Sequence, residues 1–321
     1  MTKFTKKDIL AQENGVIFKH GSKIKIALVY PNTYHIGMSN LGFQSLYGYF
    51  NDIPEIQCER FFYEKGTAPF DFFDFDVIAF SISYDLDFAN VKEILKNANL
   101  SEDHFVIAGG AAVTIEPDVL KDYVDCLILG EAETIIKPLC DALLTSSSKQ
   151  EVLKKITGDS PRALLGTVPY IFAPRLDDLN KAKTYSRIIT PNTEFANMKL
   201  VEVTRGCSRG CKFCVTPCVY GPMRYKSVDT VMEQIYDCGT ESTQQGRGVI
   251  YNVPTVGLIG SSISDYPYLD ELLDRLEQEN IKFTISSLRI DNISEKLLKG
   301  LVRSGQNMIT LAPEAGTQRM R

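Results

Sequence analysis

NMKLVEVTRGCSRGCKFCVTPCVY, residues 197–220, is the stretch around which the rest of the chain is organised. Its first residues form a short apolar run rich in β-branched side chains, which predicts a buried strand. Three cysteines follow the strand at C-x3-C-x2-C spacing: Cys207, Cys211 and Cys214. Gly206 and Gly210 lie in the same loop, and glycine adopts backbone angles that other residues resist. We therefore expect the loop to wrap closely around an inorganic centre.

Three thiolates on one short loop favour an iron–sulfur cluster, because soft sulfur ligands suit iron and each cysteine can bind one iron. A cluster of four irons held by three cysteines keeps one iron open to a substrate or cofactor. A structural zinc site normally pairs C-x2-C with a second cysteine pair, whereas Cys238 lies alone. Cys218 extends the run to C-x3-C-x2-C-x3-C, and as a fourth ligand it would close the cluster into an electron-transfer centre. A non-catalytic electron-transfer protein is therefore the alternative function.

The segment RGCSRGCKFC after a strand resembles the radical S-adenosylmethionine (SAM) superfamily. Its signature is this cysteine loop with an aromatic residue before the last cysteine, and Phe213 occupies that position. The resemblance implies that the amino and carboxylate groups of SAM chelate the open iron of a 4Fe–4S cluster. It also implies that an electron from the cluster cleaves SAM to methionine and a 5′-deoxyadenosyl radical. An electron donor such as flavodoxin or ferredoxin is then an expected partner.

The composition is that of a soluble globular protein. The 321 residues are long enough for two domains with sizeable cores, and 44% of them are hydrophobic. The formal net charge is −5, so the protein as a whole does not attract the negatively charged backbone of a nucleic acid. Nucleic acid is therefore not an expected partner. No apolar run approaches the roughly 18 residues of a membrane helix. Eight cysteines without an export signal indicate a reducing cytoplasm rather than a disulfide framework.

Residues 1–148 are predicted to form a doubly wound parallel sheet of the flavodoxin type. Apolar strand-like runs alternate there with amphipathic helical patterns, an arrangement typical of α/β domains that bind ligands at the carboxyl ends of their strands. The predicted strands are residues 24–30, 56–62, 77–82, 105–108 and 126–129.

Glycine-rich loops follow the fourth and fifth of these strands. The GG-x6-P pattern beginning at Gly109 and Gly110, and the GEAE loop beginning at Gly130, resemble the cobalamin-binding domain that precedes many radical SAM domains. The resemblance implies that these glycines approach cobalamin, a candidate second cofactor; as an alternative, they are simply turn residues. The D-x-H-x-x-G motif that supplies a cobalt ligand elsewhere is absent, since His35 has no matching aspartate. Cobalamin binding and a purely scaffolding domain both remain open.

Residues 149–196 are predicted to be a connector, helical at first and then extended and broken by prolines. Residues 197–321 are predicted to form a radical SAM domain, a partial barrel of alternating strands and helices. Such domains usually carry six strands, and this sequence supplies four. We therefore expect a missing C-terminal part or a second chain to complete the barrel. An open sheet edge would otherwise favour poor solubility or oligomerisation.

The carboxyl ends of the barrel strands carry the candidate SAM contacts. Ser261 and Ser262 stand where many members have a GGE motif, and Arg289 has a guanidinium that can grip a carboxylate with two hydrogen bonds. APEAGTQRMR resembles a cofactor-contacting segment of cobalamin-type members. The full set of candidates is Ser261, Ser262, Ser287, Arg289, Glu314 and Thr317. For each of them taken alone, a salt bridge at the barrel rim or a helix cap is the alternative.

The predicted function is that of a radical SAM enzyme. The chain most resembles radical SAM proteins with an APEAG segment, and that resemblance implies no particular substrate. If cobalamin binds, methyl transfer to an unactivated carbon or phosphorus is the expected reaction class. A methylthiotransferase-like role on tRNA is less favoured, because no basic nucleic-acid domain is visible.

Overall fold

The computed structural model describes residues 9–66, 69–157, 164–165, 168–237, 255–311 and 315–319. The contacts divide the chain into two compact units. The first unit is Ile17–Leu176, and the second contains residues 9–16 together with the described residues from Asp177 onward. Of the predicted connector, the described residues up to Leu176 thus lie in the first unit and residues 177–196 in the second.

The first unit is built on a seven-stranded sheet in the order β2-β1-β3-β4-β5-β7-β6. Six of the strands are parallel, and β6 pairs antiparallel with β7 at one edge. The order 2-1-3-4-5 is that of flavodoxin-like folds, which confirms the predicted fold class of this unit. The strands are β1 (Ile24–Tyr30), β2 (Ile56–Phe62), β3 (Val77–Ser81), β4 (Phe105–Gly109), β5 (Cys126–Gly130), β6 (Leu164–Leu165) and β7 (Val168–Ala173).

Helices cross over between the strands of this sheet. All five residues of β3 are buried, as expected for a strand that is covered on both faces. The side chain of Asn40 caps one helix by accepting a hydrogen bond from the amide of Phe43 at 2.9 Å. The helices are α1 (Tyr34–Ser39), α2 (Leu41–Asn51), α3 (Asp87–Asn97), α4 (Ala111–Ile115), α5 (Ile136–Thr145) and α6 (Lys149–Thr157), with 3₁₀ turns at Pro117–Leu120 and Ala132–Thr134.

The segment VPYIFA, which is β7, belongs to the sheet of the first unit. It pairs in parallel with β5 in a register that sets Leu127 opposite Tyr170. Ile171 is buried and the neighbouring Phe172 is exposed, so the strand alternates as one with a single covered face would. The sequence indicated that this segment is extended, and the structure gives it a partner strand.

The second unit contains a parallel sheet in the order β8-β11-β12. A single residue, Ser286, separates β12 from β13, and β13 pairs in parallel with β14. The described strands form no closed barrel, in agreement with the predicted partial barrel. The strands are β8 (Lys199–Glu202), β9 (Thr204–Arg205), β10 (Arg224–Tyr225), β11 (Val256–Ile259), β12 (Phe283–Ile285), β13 (Ser287–Leu288) and β14 (Thr310–Leu311).

Amphipathic helices cover this sheet. Four leucines at helical spacing bury one face of α9 in the core, namely Leu269, Leu272, Leu273 and Leu276. Ser227 caps α8, since its hydroxyl accepts a hydrogen bond from the amide of Thr230 at 3.2 Å. The helices are α7 (Thr216–Tyr220), α8 (Val228–Tyr236), α9 (Leu269–Gln278) and α10 (Glu295–Arg303), with 3₁₀ turns at Leu179–Lys181 and Ile263–Asp265.

The outer edge of β8 is occupied by a segment that precedes it in the chain. The amide of Ser186 donates to the carbonyl of Leu200 at 2.8 Å, and the amide of Glu202 donates to the carbonyl of Thr184 at 2.9 Å. The hydroxyl of Ser186 also accepts from the amide of Leu200 at 2.6 Å. This edge of the sheet is therefore covered within the second unit.

No helix in the described part of the chain has the length and apolar character needed to span a membrane.

Candidate functional site

The cysteine loop of the second unit is closed at its base by two short strands. β9 precedes the loop and pairs antiparallel with β10, which follows the loop and α7. The register sets Arg205 opposite Arg224 and Thr204 opposite Tyr225. The loop therefore begins directly after β9, close to the carboxyl end of the parallel strand β8, and both of its ends are fixed by backbone pairing.

Gly206 is required by the geometry at the start of this loop. Its φ is +78°, and a Cβ there would lie 2.4 Å from the carbonyl oxygen of Tyr220 and 2.8 Å from that of Pro222. The buried guanidinium of Arg224 donates to the same two carbonyls, at 2.9 and 3.4 Å. The prediction for Gly210 was wrong, because its φ is not in the left-handed region and a Cβ there would meet nothing within 4 Å.

The thiols of the loop have the donor chemistry of an iron–sulfur site. Cys207, Cys211 and Cys214 are partly exposed, and none is in a disulfide. Phe213 beside them is 74% exposed. The thiols are not already grouped in a metal-binding geometry, since no three His, Cys, Asp or Glu side chains are so arranged in the described ranges. Three reduced, accessible thiols on one short loop nevertheless fit a cluster that takes three cysteine ligands.

The cysteines of the first unit are of a different kind. Cys58, Cys126 and Cys140 are all buried. Burial raises the pKa of Cys126 and of Cys140 to about 12, and it raises the pKa of Cys58 further. Because the thiolate is the form that binds metal, these three thiols are poor ligands. Cys218 is exposed on α7, outside the loop that carries the other three.

A buried ion pair supports the end of β8 just before the loop. The guanidinium of Arg205 grips Glu202 through two hydrogen bonds of 2.8 Å, and the hydroxyl of Thr184 also donates to this carboxylate. Lys226, which is fully buried, donates to Thr184 at 2.8 Å and to Gln234 at 2.6 Å. Burial alone would raise the pKa of Glu202, but Arg205 and Lys226 outweigh it and hold that pKa below its ordinary value.

This network predicts an acid-sensitive second unit. Because the folded pKa of Glu202 lies below the ordinary value of 4.5, its stabilising contribution is present above that pH and is lost as the pH falls through the folded pKa. Glu202→Gln is expected to lower the free energy of unfolding by about 2–4 kcal/mol near neutral pH, since it breaks one side of a buried pair. The difference from wild type should shrink as the pH falls below about 4.5.

Urea unfolding of the full chain, followed by circular dichroism at several pH values, would measure this difference. Glu233→Gln is a matched control, because Glu233 is exposed on α8 and the substitution removes the same charge. If Glu202→Gln lowers the free energy of unfolding by the same amount at every pH, the stabilising role of the ionised Glu202 carboxylate is contradicted.

A second polar cluster lies beyond the ends of β11 and β13. The carboxylate of Asp265 accepts a hydrogen bond from the hydroxyl of Ser262 at 2.8 Å and from the amide side chain of Asn292 at 3.2 Å. Arg209, from the cysteine loop, donates to the same carboxylate at 3.2 Å. The Nε of Arg289 lies 3.8 Å from it. Asp265 thus brings together two predicted SAM contacts and the cysteine loop.

Sequence reasoning did not select Asp265, although it placed Ser261 and Ser262 at the same strand end. The signal was an acidic residue among hydroxyl side chains at the carboxyl end of a parallel strand, where polar groups converge. Burial alone would raise the pKa of Asp265, but hydrogen bonds from Ser262, Arg209 and Asn292 hold it below its ordinary value. The group is therefore an anion near neutral pH.

The other predicted SAM contacts lie at different places in the second unit. Ser261 is exposed beside Ser262. Ser287 lies in β13, where its backbone pairs with Thr310. Thr317 is exposed in a bend after β14, and Glu314 lies outside the described residues.

In the first unit, the predicted glycines are packed against the main chain of neighbouring strands. A Cβ on Gly110, whose φ is +115°, would lie 2.3 Å from the carbonyl oxygen of Ile82. A Cβ on Gly130, whose φ is +102°, would lie 2.3 Å from that of Ala173, and one on Gly109 would contact the next strand at 3.1 Å. Internal packing accounts for these glycines, so the fit to cobalamin is not demonstrated at these positions.

The carboxyl ends of β1 and β3 hold a buried polar cluster that sequence reasoning missed. Asp87 is 2% exposed, and its Oδ1 accepts hydrogen bonds from Asn32 at 2.7 Å and from Asn90 at 3.4 Å. Its Oδ2 has no hydrogen-bond partner in the described part of the chain. Burial raises the pKa of Asp87, although the two asparagines act in the opposite direction. In the sequence, the two aspartates of the DLD triplet after β3, residues 85–87, could have indicated this cluster.

Two family profiles match the chain. Residues 201–321 match the radical SAM superfamily, and residues 70–161 match the N-terminal region of radical SAM proteins. Together the two matches cover more than half of the 321 residues. The chain belongs to the radical SAM superfamily. The superfamily predicted from the cysteine loop is thereby confirmed.

Curated relatives of this radical SAM protein include methyltransferases. An uncharacterized protein of Methanocaldococcus jannaschii is 26% identical over 92% of this chain and 62% of its own length. An uncharacterized methyltransferase of Pyrococcus horikoshii is 26% identical over 77% of this chain and 53% of its own length. The bacteriochlorophyllide d C-12(1)-methyltransferase of Chlorobaculum tepidum is 30% identical over 53% of this chain and 34% of its own length.

These relatives support an enzymatic role for the radical SAM protein. The chain spans 62% or less of the length of each of them.

Proposed function

We propose that this protein is a radical SAM methyltransferase in which Cys207, Cys211 and Cys214 hold a 4Fe–4S cluster with one open iron. The observation that carries the proposal is the cysteine loop, which is closed at its base by β9 and β10 and tied through Arg209 to Asp265 beyond the next strand. When bound, the cluster would supply the electron that cleaves SAM to methionine and a 5′-deoxyadenosyl radical. The methyltransferase relatives support the reaction class.

The roles of the chain's own residues follow from their chemistry. Three thiolates would bind three irons, and Phe213 beside the last of them would present an exposed aromatic face to the cofactor. Arg289 would bind the carboxylate of SAM, since a guanidinium can donate two parallel hydrogen bonds to it. Ser262 donates to Asp265 and would hold the neighbouring loop in place for that contact.

Cobalamin is a candidate second cofactor of the first unit. Its support is the flavodoxin-like sheet, the resemblance of the loops after β4 and β5, and the methyltransferase relatives. The buried carboxylate of Asp87 and its two asparagines would supply polar contacts at the carboxyl end of the sheet, where ligands of such folds bind. A reducing cytoplasm with flavodoxin or ferredoxin as electron donor is the setting that we propose.

The test of this function begins with anaerobic reconstitution of the full chain with iron and sulfide, followed by reduction. We expect an EPR signal of a reduced 4Fe–4S cluster that changes when SAM is added, together with release of 5′-deoxyadenosine. The physical reason is that SAM would coordinate the open iron and alter its electronic environment. A cluster signal indifferent to SAM, with no 5′-deoxyadenosine, would contradict the proposal.

The methyl-transfer part requires a separate measurement. Hydroxocobalamin would be added to the reconstituted chain, and the cobalamin retained after desalting would be measured from its absorbance. Retention by wild type but not by Asp87→Ala would support a cobalamin site in the first unit. Failure of wild type to retain cobalamin would leave SAM cleavage as the function and remove the second cofactor.

A further inference from the structure

The carboxylate of Asp265 joins side chains that are far apart in sequence. Arg209 reaches it from the cysteine loop, and Arg289 and Asn292 reach it from the segment after β13. Ser262 completes the set from the end of β11. One carboxylate therefore contacts three segments, each of which begins at the carboxyl end of a parallel strand.

The backbone that carries the Asp265 carboxylate is hydrogen-bonded and packed in the core of the second unit. Asp265 ends a 3₁₀ turn in which its amide donates to the carbonyl of Ser262 at 3.1 Å. Its neighbours Ile263 and Tyr266 are 2% and 3% exposed in the core of the second unit. The Asp265 side chain itself is 11% exposed, whereas that of Arg209 is 46% exposed. The more buried partner of this ion pair is thus the aspartate, and the more exposed partner belongs to the cysteine loop.

Arg289 keeps unused donor capacity in this arrangement. One of its terminal nitrogens pairs with Asp291, whose side chain is 56% exposed. Its Nε is buried and makes no hydrogen bond with any described residue. A carboxylate from a ligand would satisfy the guanidinium better than the exposed Asp291 does, because a bidentate pair orients both donors.

We propose that Asp265 is a positioning residue that couples the cysteine loop to the SAM-binding end of the strands. It holds Arg209, and so the loop, at a fixed distance from Arg289. This inference rests on the proposed function for the identity of the ligand, and on the geometry alone for the coupling. A loop held in this way would present its thiolates and the guanidinium to one ligand at the same time.

Asp265→Asn tests the coupling with little change in size. The amide has one oxygen and one NH2 group, so in either orientation one of the two guanidinium groups faces a donor instead of an acceptor. In both orientations the Arg209 contact loses its charged acceptor, and the weaker contact should expose the loop; Lys212, which is itself exposed in that loop, provides a trypsin site. We expect cleavage after Lys212 in the chain before reconstitution to be roughly three- to tenfold faster than in wild type, since a partly exposed pair contributes modestly.

Two further variants complete this experiment. Arg209→Gln should accelerate cleavage after Lys212 as much as Asp265→Asn does, and the double variant should add little to either. Asp229→Asn is the matched control, because Asp229 also pairs with an arginine at 3.4 Å but is 83% exposed in a different part of the unit. If Asp265→Asn fails to fold, Arg209→Gln alone still decides whether the ion pair restrains the loop.

The second readout is spectroscopic. After reconstitution, the SAM concentration that gives half of the EPR change should rise about tenfold in Asp265→Asn while the iron content stays at the wild-type level. A residue with a purely structural role would instead lose iron, or would leave the SAM titration unchanged.

The outcomes separate this inference from the proposed function. Wild-type cleavage rates and a wild-type SAM titration in Asp265→Asn would overturn the coupling and leave the function intact. A wild-type protein that does not respond to SAM would overturn the function, and the trypsin comparison would still establish or refute the restraint of the loop.

Discussion

Replacing Cys211 with alanine is expected to abolish SAM-dependent chemistry and most of the bound iron. The same result is expected for Cys207→Ala and Cys214→Ala, because each thiolate would hold one iron of the cluster. Removing a residue that hydrogen-bonds to a metal ligand, without touching the metal, typically costs about 10–100-fold in metal affinity or activity. Removal of a ligand itself should therefore cost at least about a hundredfold in 5′-deoxyadenosine formation. Iron content, absorbance and product release would all be measured on reconstituted protein.

Cys218→Ala is the informative comparison for these variants. Cys218 lies on α7 rather than in the loop, and its side chain is exposed. We expect this variant to retain its iron and its response to SAM. If Cys218→Ala instead loses the cluster as completely as Cys211→Ala does, four cysteines bind the iron, and electron transfer becomes the better function.

The second large effect is expected from Gly206→Ala. The left-handed backbone at φ +78° costs a non-glycine residue about 1–2 kcal/mol, and the new Cβ would also overlap the carbonyl oxygens of Tyr220 and Pro222. Those carbonyls are held by Arg224, so relieving the overlap breaks hydrogen bonds. We expect a loss of about 2–4 kcal/mol in the free energy of unfolding and poor retention of the cluster.

Gly210→Ala provides the control within the same loop. A Cβ at that position meets no atom within 4 Å, and the backbone is not left-handed. We expect a change of less than about 0.5 kcal/mol and normal cluster loading. Equal damage from the two substitutions would show that the loop tolerates no side chain at either glycine, whatever the backbone angle.

Local patterns in the sequence predicted most of the fold. The apolar run IKIALVY became a parallel strand at the predicted residues 24–30, because a run of this kind is stable only when both faces are covered. The hydroxyl of Ser227 capped its helix for an equally local reason. The cysteine spacing predicted the superfamily, since the ligands of one centre lie within a single loop.

Contacts between distant segments could not be predicted in this way. The Asp265 cluster depends on how three strand ends converge, and nothing adjacent to Asp265 in sequence indicates Arg209 or Arg289 as a partner. At Gly110 and Gly130 the sequence pattern was visible but its cause was not, since a ligand contact and a close main-chain contact both favour glycine. Only the three-dimensional structure identifies which neighbour fills the space.

The segment that lies along the outer edge of β8 sets the direction in which this sheet can grow. Because Thr184 and Ser186 already use the backbone groups of Leu200 and Glu202, β8 offers no template on that side for another strand. The other edge of this three-stranded sheet is β12, so any further strand, whether from the same polypeptide or from a second one, would add on that side. This sheet can therefore accept a strand on one side only, and the cysteine loop follows β8, the strand at the covered edge.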